Sequence, residues 1–217
     1  MPDEARATVD HDVKTWYAHP AYWGPQNKQP EWPDRVLSNQ GELFRDKDVL
    51  NLGCFFPEDE EAFGHLARTW LAIDFVKEVV ARCVKYRPWP HNVGFMQHDM
   101  RDLHGTCVGD AQFDVVTDFS SGDHLLKEDW LLVVAEVFRV LRPAGHFLVC
   151  FANNEAFIAF FGESWRERPA QSGEYGYVRT DTIAEMQAML EAAGFEIVRK
   201  SHDNAGQLRT GMLARKP

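Results

Sequence analysis

Val49-Leu50-Asn51-Leu52-Gly53-Cys54-Phe55-Phe56-Pro57 decides how the chain is read. A short apolar strand runs into a glycine and, four residues on, a proline. Residues 58–69 then read as a helix whose first turn is crowded with acids, where the helix dipole favours negative charge. A second strand, Trp70-Leu71-Ala72-Ile73, ends at Asp74, 23 residues beyond Asn51. Strand, tight turn, helix and strand make a βαβ unit, and an acid at about that spacing suits ribose hydroxyls. A carboxylate there accepts two hydrogen bonds from a vicinal diol.

The alternation continues outward. Residues 76–86 read as a helix stopped by Pro88 and Pro90, residues 93–97 as a third strand ending near Asp99, and residues 113–117 as a fourth ending at Asp118. Residues 128–141 form an amphipathic helix closed by Arg142-Pro143-Ala144-Gly145. Residues 146–151 are nearly all apolar, as a strand covered on both faces should be. Thr180 or Asp181 can cap a helix running to Ala193, with Gly194 just past its end. Residues 195–199 and 208–215 are the last strands. This pattern predicts an α/β fold, a doubly wound and mostly parallel seven-stranded sheet with right-handed crossovers. Only a short polar segment, 200–207, separates the final two strands. No helix fits there, so that pair should be antiparallel.

Residues 1–45 differ from the rest. Trp16, Tyr17, Tyr22, Trp23 and Trp32 are interleaved with Pro20, Pro25, Pro30 and Pro33, which leaves little periodicity after His19; residues 34–44 read as a short helix. The chain is therefore divided into an N-terminal aromatic lid and helix region, 1–45, and a main domain, 46–217. A polar and aromatic insert at 152–180, containing Trp165, reads as a second lid. Tyr22, Trp23 and Trp165 are candidate walls for an organic substrate.

Composition narrows the function. The 217 residues are 45% hydrophobic, enough to bury a core and too apolar for disorder. No run approaches the roughly 18 apolar residues of a membrane helix. The polar, acidic start predicts no secretory leader, and the cytoplasm is the expected location. With 23 basic against 33 acidic side chains, a net charge of −10, and no basic stripe, nucleic acid is disfavoured as a partner. The four cysteines are scattered without a CxxC pair, which predicts reduced thiols rather than a disulfide framework. No cluster has metal-ligand spacing. Residues 53–57 hold one glycine, too few for the pyrophosphate loop of a nicotinamide-dependent oxidoreductase.

Taken in order, V-L-N-L-G-C, A-I-D-F, F-x-x-x-D-M-R-D-L, F-D-V-V-T-D, E-V-F-R-V-L-R-P-A-G-H-F-L-V and L-E-A-A-G-F resemble the class I S-adenosylmethionine-dependent methyltransferases. The resemblance runs from about residue 48 to 215. It implies an S-adenosylmethionine cofactor and transfer by in-line displacement; the acidic balance and the aromatic lid favour a small-molecule methyl acceptor. It assigns Gly53 and Cys54, on one loop with Asn51 and Phe55, to the methionine part of the cofactor, which they would line through backbone. Asp74 would hold the ribose and Phe75 would lie against adenine. Asp99 would accept from the adenine amino group with Met100 beside it, and Asp118 and Phe119 would border the transferring methyl. His124 is the candidate base, with Tyr17 behind it; an imidazole titrates in the useful range. The sequence departs from the family at the first loop. Asn51 replaces an acid, and Phe55 and Pro57 stand where glycines are usual. A catalytically inactive, methyltransferase-like binding or scaffold subunit is the alternative reading.

Overall fold

A computed structural model describes residues 2–18, 41–104, 108–163, 177–200 and 208–217. The elements, in chain order, are α1 (Pro2–Ala18), α2 (Gly41–Phe44), β1 (Asp48–Leu52), α3 (Glu58–Phe63), β2 (Thr69–Asp74), α4 (Lys77–Tyr86), β3 (Val93–Gln97), β4 (Phe113–Phe119), α5 (Lys127–Val140), β5 (Leu141–Ala152), α6 (Asn154–Phe161), α7 (Ile183–Ala192), β6 (Glu196–Lys200) and β7 (Arg209–Arg215). They form one seven-stranded sheet in the order β3-β2-β1-β4-β5-β7-β6. β1 to β5 pair in parallel. β7 runs antiparallel to both β5 and β6, as the short 200–207 connection predicts.

Period-two alternation sends neighbouring side chains to opposite faces. Leu50 and Leu52 join one core cluster with Ile73, Val116, Phe147 and Val149, under Trp130, Val133 and Val137 of α5. Val49 joins the other with Trp70, Ala72 and Val115, under Val79 and Cys83 of α4. Both faces of the central strands are therefore covered, and the free space lies beyond the strand ends. The strand order reverses between β1 and β4, which opens a crevice at their carboxyl ends.

Several boundaries differ from the sequence reading. The helix expected over 58–69 stops at Phe63 and tightens into a 3₁₀ turn, Gly64–Leu66. Asn92 Nδ2 donates to Gly64 O at 2.8 Å and Ala67 O at 2.9 Å, which diverts those carbonyls from further helix. Thr182, rather than Thr180 or Asp181, caps α7, through a reciprocal capping box with Glu185. Asp181 is instead ion-paired with Arg179 at 2.8 Å. α6 occupies part of the expected 152–180 insert, with Asn153 as its cap. α1 was not among the expected helices. Of the expected 34–44 helix, 41–44 is described and helical, and the remainder lies outside the described residues. Among the described residues, no helix is long and apolar enough to cross a membrane.

Candidate functional site

A cleft enclosing roughly 1060 Å³, including space open to solvent, lies at the carboxyl ends of the parallel strands. Its floor begins at Gly53, whose φ of 76° is in the left-handed region. A β-carbon there would collide with Ser121, so the approach of the β1 and β4 loops requires glycine. Ser121 Oγ donates to Gly53 O at 3.2 Å and ties the two loops together. Phe55 and Phe56 follow, packed edge to face at 4.8 Å, and both line the cleft. Glu58 and Asp59 add carboxylates from the start of α3.

Asp74 closes β2 and faces the cleft. Its Oδ1 accepts the Val76 N–H at 2.8 Å; Oδ2 has no partner among the described residues. Burial pushes this carboxyl up to about 7, against the opposing pull of Val76. Phe75 lines the same wall; its ring centre lies 4.3 Å from Lys14 Nζ and 5.5 Å from the Arg101 guanidinium. Asp99 and Met100 continue the wall beyond β3. Asp99 is held by its own neighbour: Arg101 donates through its backbone N–H, Nε and Nη2. Burial opposes these bonds, yet Arg101 holds the Asp99 carboxyl below its ordinary range.

Arg101 also pairs with Asp10 of α1 at 2.9 Å and with Asp129 of α5 at 3.1 Å. Arg6 reaches the same Asp129, its Nε donating at 3.0 Å. Arg6, Asp10 and Lys14 recur every four residues, so one face of α1 meets the cleft rim through charge. That charge periodicity was one available signal for α1; Ala5, Val9, Val13 and Trp16 at helical spacing, of which Val9 is buried, were another.

The opposite wall comes from the loop after β4, with Phe119, Ser120, Ser121, His124 and Leu125, and from Arg209 of β7. His124 Nδ1 lies 2.8 Å from Tyr177 O. A carbonyl only accepts, so Nδ1 carries the proton and the lone pair sits on Nε2. Burial, together with Arg209 and Arg179, lowers this imidazole to about 4 despite the Tyr177 bond. His124 is therefore neutral near pH 7 and a weaker base than the sequence reading assumed.

Three of the expected site residues turn their side chains away from the cleft. The Asn51 side chain does not reach the cleft. It is buried, donates to Glu60 Oε1 at 2.7 Å and accepts from Thr117 Oγ1 at 2.9 Å, tying α3 and β4 to β1. Cys54 turns into the core, and its carbonyl accepts from Cys83 Sγ at 3.2 Å. Asp118 is buried, and its carboxylate accepts from Ser121 N–H at 2.7 Å and Gly122 N–H at 3.0 Å. Gly53, Phe55, Asp74, Phe75, Asp99, Met100, Phe119 and His124 are brought together at the cleft. Tyr17 belongs to α1, but its side chain lies outside what is described, and Tyr22, Trp23 and Trp165 lie outside the described residues altogether. Arg209 was missed because only the ends of parallel strands were searched; an antiparallel strand begins where they end.

A switch-point crevice with a strand-end acid and aromatic walls defines an α/β protein built to hold a nucleoside-type cofactor. Comparison with known proteins narrows the class. Residues 50–149 match the family model described as a methyltransferase domain. A Mycolicibacterium smegmatis protein named "Probable S-adenosylmethionine-dependent methyltransferase" is 31% identical over 151 residues, 70% of this chain and 52% of that protein. The chain thus spans about half the length of that curated relative. Two solved structures share the fold. One is the Burkholderia thailandensis 1,6-didemethyltoxoflavin-N1-methyltransferase with 1,6-didemethyltoxoflavin and S-adenosylhomocysteine (TM-score 0.75, 21% identity, 100% of this chain and 90% of that one). The other is the N-methyltransferase NodS from Bradyrhizobium japonicum WM9 with S-adenosylhomocysteine (TM-score 0.71, 13% identity, 97% and 99%). The chain is thus similar to S-adenosylmethionine-dependent methyltransferases over residues 50–149 and over about half of that curated relative, and it shares the fold of the two solved enzymes.

Proposed function

We propose that this protein transfers a methyl group from S-adenosylmethionine to a small organic acceptor. The observation that carries the reading is Asp74: a half-buried strand-end carboxylate with one oxygen left over, facing the cleft. The other residues fit the same donor. Gly53 gives close backbone approach, and Phe75 and Met100 offer apolar surface beside Asp74 and Asp99. The charge missing at Asn51 is supplied from α3: Asp59 lines the cleft and accepts no hydrogen bond from the described residues. Burial and its neighbours Glu60 and Glu58 push its carboxyl well up, and a cationic group beside it would restore the ionised form.

When bound, S-adenosylmethionine supplies a methyl group already activated on a sulfonium centre, open to in-line displacement by a nucleophile. The chain's own residues then position, desolvate and exclude water. The Phe55–Phe56 pair and Phe119 provide low-dielectric walls, and His124, its ring held through Nδ1 by Tyr177 O, borders the acceptor side of the cleft. The expected lid residues Tyr17, Tyr22, Trp23 and Trp165 complete this reading as covers over the acceptor.

The test is calorimetric titration of the full chain with S-adenosylhomocysteine. A dissociation constant of about 10 μM or tighter, roughly −7 kcal/mol, is expected. No heat and no thermal shift at about 1 mM would leave the scaffold reading, which the crowded Phe55–Phe56 entrance favours.

A further inference from the structure

Residues 177–181 run past the cleft wall just before α7. Asp181 bridges to Asn153 in parallel, and its N–H donates to Ala152 O at 3.1 Å, so this strap is fastened to the end of β5. From it Arg179 reaches residues 122–125, the loop after β4 that brings His124 and Leu125 to the cleft. The Arg179 backbone N–H donates to Asp123 O at 2.7 Å, and its Nη1 donates to Gly122 O and Leu125 O, both at 2.9 Å. Its Nε donates to Asp181 Oδ2 at 2.8 Å, which aims the guanidinium at the loop. Arg179 is 6% exposed and its guanidinium lies 5.3 Å from the centre of the Trp130 ring. Its Nη2 has no hydrogen-bond partner among the described residues. The same strap supplies Tyr177 O, 2.8 Å from His124 Nδ1.

Burying an arginine with one nitrogen unpartnered is costly, and an apolar side chain of similar volume is often at least as stabilising. What the guanidinium adds is direction: one rigid, planar group spans two carbonyls of the loop and a carboxylate of the strap. We infer that Arg179 is a positioning residue for the acceptor side of the cleft, locking the 122–125 loop to the 177–181 strap and thereby fixing His124 in the Nδ1–H tautomer at the cleft wall. An imidazole free in water favours the proton on Nε2. The opposite tautomer persists only while a fixed acceptor faces Nδ1, and here that acceptor is a carbonyl of the strap. The insert that the strap closes is in this way coupled to the residue that borders the acceptor. Calling that wall the acceptor side rests on the reaction proposed above; the tautomer and its cause do not.

Long-range proton–nitrogen spectra of the histidine side chains, recorded on the full chain, read the tautomer directly, and His124→Gln identifies the His124 signals by their loss. At about pH 7 the wild type should show His124 neutral and protonated on Nδ1. Arg179→Met should move His124 to Nε2–H or to a mixture of the two forms and leave the other histidines unchanged. Arg179→Lys keeps the charge, but a single ammonium does not serve both carbonyls and Asp181 together. It should restore Nδ1–H only in part, and it replaces the methionine variant if that one fails to fold. S-adenosylhomocysteine affinity should stay within about threefold in both variants, because Asp74 and Asp99 lie on the other wall. A wild-type tautomer in a folded Arg179→Met, or in Arg179→Lys where that variant replaces it, overturns the inference: a residue that only stabilises would lower the urea midpoint and leave the tautomer of the folded protein alone. So does a wild type protonated on Nε2. A loss of about tenfold in S-adenosylhomocysteine affinity with the tautomer unchanged overturns it too, and Arg179 would then serve the donor. If the wild type binds no S-adenosylhomocysteine, the donor reading fails, and the histidine spectra still decide the role of Arg179.

Discussion

The same dipeptide stands at the carboxyl ends of β2 and β4, as Asp74-Phe75 and Asp118-Phe119. Both aspartates are strand-end acids, and burial raises both to about 7. Both phenylalanines line the cleft, yet only Asp74 does. The difference lies in the next three residues. After Phe75 the chain enters α4, and one N–H, from Val76, reaches Asp74 Oδ1. After Phe119 it turns back through Ser120 and Ser121 to Gly122, whose N–H and that of Ser121 saturate Asp118. A β-carbon on Gly122 would strike the Trp130 ring, so this turn is fixed by packing. A strand-end acid is available to a ligand only where its own turn leaves an oxygen unclaimed.

The largest effect should come from removing the acid that looks like a ligand and is not. Asp118→Ala strips two buried N–H groups of their acceptor and should cost about 2–4 kcal/mol of stability, read as a lower urea midpoint. Asp74→Ala should leave the urea midpoint unchanged or raise it, because it deletes a half-buried acid whose charged form desolvation disfavours. Its cost appears in binding instead: S-adenosylhomocysteine should bind about 1–3 kcal/mol more weakly. A stable Asp118→Ala that has lost ligand affinity would invert the comparison.

The pH dependence follows with its sign. The folded state holds both carboxyls near 7, above their ordinary 3.8. Their contribution to stability is therefore full below about pH 4 and is lost as pH rises through about 7. Asp74→Asn and Asp118→Asn should each flatten part of that decline in the ligand-free protein. A diol donating to Asp74 favours its ionised form, so binding at about pH 6 should expel a fraction of one proton. Calorimetry in two buffers of different ionisation enthalpy measures it. Asp74→Asn should release fewer protons than the wild type, and Asp118→Asn should match the wild type.

The alternation from residue 49 to 215 was legible because strand and helix periods differ and because turn residues punctuate them. Asp74 and Gly53 were legible for the same reason: the βαβ unit fixes where they lie. The side-chain directions of Asn51 and Asp118 were not legible, because sequence position gives the strand end but not the direction of the side chain or the path of the following turn. Glu60, which receives Asn51, is nine residues further on and buried, and nothing in its local pattern marks it as inward. Arg209 was hidden by strand direction. α1 was passed over because its anchoring face is charged.

That charged face gives the smallest effect and the third case of a strand-end acid. Asp99, beyond β3, is claimed by Arg101, and Arg101 is shared with Asp10 of α1. α1 is thus tied to the donor wall through an arginine that a carboxylate already occupies. Arg6, its outer anchor on Asp129, is 39% exposed. An ion pair that exposed contributes little and is screened by salt. Arg6→Ala should lower stability by less than about 1 kcal/mol at low ionic strength, and the difference should fade towards about 1 M salt. S-adenosylhomocysteine affinity should move by less than about twofold, because Arg101 still holds Asp99 in place. A loss of several kcal/mol that salt does not diminish would mean that α1 is held by burial, and that the charge periodicity of Arg6, Asp10 and Lys14 does not explain its position.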